Sequence, residues 1–179
     1  DTSTGTGTLV GPTNPYWIED LAAAPNGRMY GNRAFGPQDQ LLSIDLNTGE
    51  TVQVGSMSPH STTNALAIRE DGIAIGWDDA AEWLFEVDLT DASATSLGPL
   101  NDAFFHAFDY GPDGALYGWT GSEVRKIDPA SLTSSSVRSF GVSGVSFTLI
   151  ADLTPHWNKL GPGTCNFYDS AKWTPNSTP

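Results

Sequence analysis

One phrase recurs through this chain and limits what it can fold into. Asn26-Gly27, Asp71-Gly72 and Asp113-Gly114 are each followed by an apolar stretch ending at Gly31, Gly76 and Gly118. An apolar-Asp pair comes next (Ile44-Asp45, Val87-Asp88, Ile127-Asp128), and then a β-prone run closing on Gly55, Gly98 and Gly141. The closing glycines stand 43 residues apart in both intervals. Gly11, 44 residues before Gly55, ends the matching phrase Thr8-Leu9-Val10-Gly11, so the chain is expected to open on the last strand of a unit. A period of this size, with several short strands per unit and no helical stripe, predicts the blades of a β-propeller.

Each unit reads as a four-stranded sheet. In the second, strands are expected at 64–68, 73–77, 83–87 and 94–98, with Asp71-Gly72 as a tight turn between the first two. The first unit gives 20–24, 28–31, 41–44 and 51–55; the third gives 107–110, 115–119, 124–127 and 136–140. Ala22, Ala24, Ala65, Ala67 and Ala107 fall on the first strand of their units. Small side chains let neighbouring sheets converge, so that strand is placed innermost. The fold class is therefore all-β, a propeller-like repeat domain over 1–155 with units at 12–55, 56–98 and 99–141 and a partial unit at 142–155. Three full units plus split terminal strands leave three readings: a fragment of a longer ring, a small ring closed by the tail, or an open unit completed by a neighbouring subunit. From 156 to 179 the composition shifts to Pro, Gly and spaced aromatics, which reads as a tail.

Eight Lys and Arg stand against 21 Asp and Glu, a net charge of −13. That balance opposes the counterion release that drives association with nucleic acid and anionic membranes. No apolar run is long enough to cross a bilayer as a helix. Cys165 is the single cysteine, so no intrachain disulfide forms. Scarce Lys together with abundant Ser, Thr, Gly and Asn point to a secreted, extracellular or cell-surface protein.

The phrases Pro112-Asp113-Gly114-Ala115-Leu116-Tyr117-Gly118 and 42–55 resemble the repeats of secreted bacterial propeller-like proteins, among them surface-sorted proteins of the PEP-CTERM type and large planctomycete exoproteins. The resemblance covers roughly residues 7 to 152, and the tail phrase 166–173 is similar to an aromatic motif of the same exoproteins. It implies an extracellular surface role and brings no catalytic residues.

Chemistry-bearing patterns are sparse. His60, His106 and His156 have no metal-ligand spacing, and there is no nucleophile elbow or phosphate-cradling loop. Asp78, Asp79 and Glu82 cluster in one stretch that offers Ca²⁺ its oxygen ligands, but it lacks the alternating pattern of a dedicated calcium loop, which favours a solvated acidic loop; no other cofactor is expected. Asn176-Ser177-Thr178 matches a glycosylation acceptor at Asn176. Aligning the units superposes Asn32, Trp77 and Trp119 just after the glycine of the second strand, and Glu19, Asn64 and His106 just before the first. Repeated aromatics with polar neighbours could stack on and hydrogen-bond a glycan; the competing reading is that the indoles pack the sheets. A hydrolase would need converging carboxylates, for which Glu19, Asp20 and Asp109 are the candidates.

The residues favour a non-enzymatic structural protein that joins copies of itself head to tail. Thr6, Thr8 and Val10 of the leading strand, Phe147 and Leu149 of the trailing strand, and Phe167, Tyr168 and Trp173 of the tail are the expected interface. Strand addition would supply backbone hydrogen bonds and the aromatics would fix register. Such a contact does not close on itself and builds a filament. A glycan-binding module is the alternative.

Overall fold

The computed structural model describes residues 4–13, 17–33, 38–100 and 103–140, all within a compact unit spanning Asp1–Leu149. Phe147, Leu149, Phe167, Tyr168, Trp173 and Asn176 lie outside the described residues. Twelve strands form three four-stranded antiparallel sheets, and no helix occurs among the described residues. The first sheet holds β1 (Asp20–Ala23), β2 (Met29–Arg33), β3 (Gln40–Ile44) and β4 (Thr51–Ser56). The second holds β5 (Thr63–Ile68), β6 (Ala74–Asp78), β7 (Trp83–Val87) and β8 (Ala94–Pro99). The third holds β9 (Ala107–Tyr110), β10 (Leu116–Trp119), β11 (Glu123–Asp128) and β12 (Thr133–Ser139). Every sheet is a simple meander, the pattern of a propeller blade.

The repeated phrases are turn chemistry. At each Asn/Asp-Gly pair the side-chain Oδ1 accepts a backbone N–H two residues on: Arg28 to Asn26 at 3.0 Å, Ile73 to Asp71 at 3.2 Å, Ala115 to Asp113 at 3.2 Å. Gly27, Gly72 and Gly114 supply the positive φ that this three-residue hairpin loop requires. The apolar-Asp pair serves the next hairpin. Asp45, Asp88 and Asp128 accept the N–H of Asn47, Thr90 and Ala130 at 2.7, 2.7 and 3.0 Å, nucleating the turn from β3, β7 and β11 into the outermost strands.

Blades meet through alternating faces. Ala22, Ala24, Tyr30 and Leu41 of the first blade pack with Leu66, Ala74, Phe85, Val87 and Ala92 of the second. The second blade's opposite face, with Ala65, Ala67, Ile75, Trp77 and Leu84, packs with Phe105, Phe108, Leu116 and Ile127. First strands β1, β5 and β9 lie side by side at these junctions, the innermost place that their small residues predict.

Two expectations need correction. The stretch Thr8–Gly11 carries no strand; among the described residues it has no ladder partner, and Leu9 is 90% exposed. The closing position of the third blade falls at Arg138, whereas Gly141 lies outside the described residues. Cross-strand register places Gly55 opposite Leu41, Gly98 opposite Leu84, and Arg138 opposite Val124, so Arg138 occupies the position that glycine holds in the first two blades. The reason is steric. A Cβ on Gly55 would lie 2.1 Å from the Asp91 carbonyl, and one on Gly98 would lie 2.5 Å from the Leu132 side chain, both on the next blade's outer turn. Gly11 is seated in the same way, with its Cβ position 1.8 Å from the Thr48 carbonyl.

Candidate functional site

Antiparallel pairing settles where the aligned rim residues lie. Asp20 pairs with Asn32, Ala65 with Trp77 and Ala107 with Trp119, while the N–H groups of Glu19 and His106 donate to the carbonyls of Asn32 and Trp119. Both sets therefore share one rim. The side chains of Asn32, Trp77 and Trp119, however, turn inward. Trp77 is fully buried, edge-on to Phe105 with ring centroids 5.3 Å apart, and Trp119 is buried against Phe140. Asn32 is buried too; it accepts from the Asp20 N–H at 3.0 Å and donates to the Thr63 carbonyl, tying the first blade to the second. Neither indole offers a ring face to solvent. Glu19 is exposed, and Asn64 and His106 are half-buried.

The acidic residues Asp78, Asp79 and Glu82 lie at the end of β6 and in the turn into β7. Among the described residues no group of three or more His, Cys, Asp or Glu side chains is placed to hold a metal ion. Asp78 instead points into the junction between the first two blades. Its Oδ1 accepts from the Thr62 hydroxyl at 2.8 Å and from the Ala80 and Ala81 N–H groups, each at 3.1 Å, while its Oδ2 lies 2.9 Å from His60 Nδ1. Burial works against its charge, but the Thr62, His60 and Ala81 hydrogen bonds outweigh it and hold the carboxyl below the ordinary carboxylate range. Asp79 is pushed up, chiefly by burial, and its Oδ1 has no hydrogen-bond partner.

His60 is the centre of this arrangement, and sequence patterning did not single it out as part of a site. Gly76 leaves room for the Phe85 ring, which a Cβ there would meet at 2.3 Å. His60 stacks on that ring with centroids 3.8 Å apart and planes 13° from parallel. The stack orients the imidazole so that Nε2 faces the Ser96 hydroxyl at 3.2 Å while Nδ1 faces Asp78. The partners are 18 and 36 residues from His60 in sequence, and no local pattern links them.

Among the candidate acids, Asp20 is held at the contact between β1 and β5. Burial, opposed by backbone donors led by Leu66 and reinforced by the nearby Asp109 charge, raises its pKa to about 6. Its Oδ2 accepts the Leu66 N–H at 2.9 Å, joining β1 to β5. A folded-state pKa above the unfolded value stabilises the fold fully below pH 3.8, and that contribution fades as pH rises through about 6. Two units correspond to at most about 3 kcal/mol. The parent should gain thermal stability from Asp20 between pH 7 and pH 4.5, and in Asp20→Asn that gain should shrink, as read by melting at each pH. An unchanged pH slope would remove Asp20 as its source.

The remaining feature is an open apolar face. The outer side of the first blade carries Leu21, Met29 and Ile44, whose counterparts Leu66, Ala74 and Val87 are covered by the preceding blade. Here that side forms a groove of about 730 Å³ bordered by Val10, Trp17, Leu21 and Leu46. Trp17 is 70% and Leu21 53% exposed. Val10 at its border is exposed, as are Thr6 and Thr8 just before it in the chain.

No protein-family model matches the sequence, and no curated protein matches it. Solved structures do. A calcium-binding protein, regucalcin, from Agrobacterium tumefaciens is 16% identical over 83% of this chain and 55% of its own, with a TM-score of 0.54. A gluconolactonase from Xanthomonas campestris is 13% identical, covering 83% of this chain and 57% of its own, with a TM-score of 0.55. Kuenenia stuttgartiensis hydrazine synthase is 16% identical over 77% and 40%, with a TM-score of 0.52. The chain thus spans roughly half the length of the structures it matches or less. At these identities the likeness concerns the fold alone: the chain adopts a β-propeller-like architecture built from three four-stranded blades.

Proposed function

We propose that this chain is an extracellular interaction protein whose working surface is the open face of its first blade, and that a second copy of the chain covers it. The observation that carries this reading is the register equivalence of that face with faces buried in both blade junctions. Leu21, Met29 and Ile44 stand where Leu66, Ala74 and Val87, and Phe108, Leu116 and Ile127, meet a neighbouring blade. The natural occupant is therefore another sheet of the same repeat. Gly11 is already seated as a closing glycine, so Thr6 to Val10 stand where the outermost strand of that sheet belongs and where the incoming copy would add its own strand. The contact is head to tail, uses different surfaces on the two copies, and extends into a filament.

Charge adds a signature. Each copy carries −13, so copies repel at low ionic strength, and screening at about 10 Å in 0.1 M salt should relieve this while apolar contacts persist. Association should strengthen as salt rises. Light scattering with electron microscopy on the full chain should show species larger than the 19.0 kDa monomer that grow with protein concentration. Leu21→Arg, which sets an unpaired charge in the groove, and Val10→Pro, which removes a strand donor, should each weaken association about a hundredfold or more with unchanged circular dichroism. A monomer at all concentrations and salts would sink the proposal.

A further inference from the structure

We propose that Ser96, His60 and Asp78 form a serine-nucleophile centre that transfers the acyl group of small, uncharged esters to water. The three groups are ordered as acyl transfer requires, with hydroxyl to imidazole at 3.2 Å and imidazole to carboxylate at 2.9 Å. Their burial is graded to match. Asp78 and His60 are shielded from water at 4% and 3% exposure, while Ser96 sits in the solvent-facing part of β8, where a substrate can reach it. Ionised Asp78 accepts the Nδ1 proton, which leaves the Nε2 lone pair directed at the Ser96 hydroxyl. The Phe85 stack and the Thr62, Ala80 and Ala81 bonds to Asp78 fix this tautomer and ring angle before substrate arrives.

The chemistry balances without a cofactor. Ser96 Oγ attacks the ester carbonyl carbon as its proton moves to His60 Nε2. The tetrahedral adduct collapses by breaking the bond to the alcohol oxygen, which takes that proton from Nε2 and leaves as the alcohol. Water then attacks the Ser96 acyl ester, gives one proton to Nε2, and releases the carboxylic acid as Ser96 regains its proton. Because β8 is the outermost strand of its sheet among the described residues, alternate backbone N–H groups along it point away from the ladder, and these are the donors an oxyanion at Ser96 would meet. Trp83 lies on the same side of β7 as Phe85, two residues away and 38% exposed, an apolar rest for an acyl or aryl group. The net charge of −13 disfavours anionic esters.

The test uses p-nitrophenyl acetate as substrate and diisopropyl fluorophosphate as the trapping reagent, on the full chain. The expected result is hydrolysis that falls at least about a hundredfold in kcat/KM in Ser96→Ala. Phosphylation should be found by mass spectrometry on the Ser96 peptide. Ser96 is exposed, so Ser96→Ala should melt as the parent does, and Thr95→Ala, the adjacent exposed hydroxyl, should leave the rate unchanged. Asp78 acts as a positioning residue, and Asp78→Asn should lower kcat with little change in KM because the wrong tautomer is favoured. Hydrolysis that is unaffected by Ser96→Ala, or a parent no faster than buffer with Ser96 unmodified, overturns the proposal.

Discussion

Gly55→Ala should lower the melting temperature by about 10 °C, on the scale of roughly 3 kcal/mol in a chain of this size. The added methyl would sit 2.1 Å from the Asp91 carbonyl oxygen and 3.1 Å from the Ala92 Cβ, on the turn of the next blade. Neither neighbour can swing away. Asp91 presents backbone there, and Ala92 is fully buried and already held at a φ of 63°. Relief requires the second blade to move as a body off the first, opening the contact in which Ala22, Tyr30, Leu41, Leu66 and Phe85 are buried. Gly114→Ala is the control. Its φ of 72° carries an intrinsic penalty of about 1–2 kcal/mol, but nothing lies within 4 Å of the new Cβ. Thermal melts of the two variants therefore separate blade spacing from backbone preference. Gly55 has no positive φ, so a loss no larger than that of Gly114→Ala would mean that the two blades accommodate the methyl without separating.

That contact also explains how the sequence foretells the fold and where it misleads. The Asn/Asp-Gly turns and the apolar-Asp pairs are local devices, each satisfied by a side chain bonding its own backbone a few residues on, so their recurrence specifies twelve strands in three meanders directly. Closing glycines are different, because their need arises from a neighbouring blade. The spacing from Asp45 to Asp88 is 43 residues but from Asp88 to Asp128 it is 40, so a constant step lands on Gly141 while the ladder lands on Arg138. Register belongs to the cross-strand partner, not to a count along the chain. The rim residues mislead for a related reason. Periodicity aligns Trp77 with Trp119 and Asn32, but not which way an indole faces once another blade arrives, and Phe105 claims Trp77. His60 was illegible as a centre since its partners come from β6 and β8, brought together only when the sheet forms.

The second large effect is expected at Phe85, where sheet and site are the same object. Phe85→Ala should cost about 3–5 kcal/mol, because a fully buried ring is removed and the sheet cannot collapse into the space. The lost volume lies over Gly76, its cross-strand partner, whose Cβ position is 2.3 Å from the ring. Gly76→Ala alone should therefore also destabilise, by overpacking, at roughly 1–3 kcal/mol. Combined with Phe85→Ala, however, the new methyl enters the vacated space and meets no ring. The double variant should be no less stable than Phe85→Ala alone, so that the two losses fail to add by about the whole cost of Gly76→Ala. Denaturant unfolding of the four proteins measures the cycle. Additive losses would mean that the glycine and the ring are separate features. Non-additivity ties the three into one construction: a glycine in β6 admits a ring from β7, and the ring aligns the imidazole between Asp78 and Ser96.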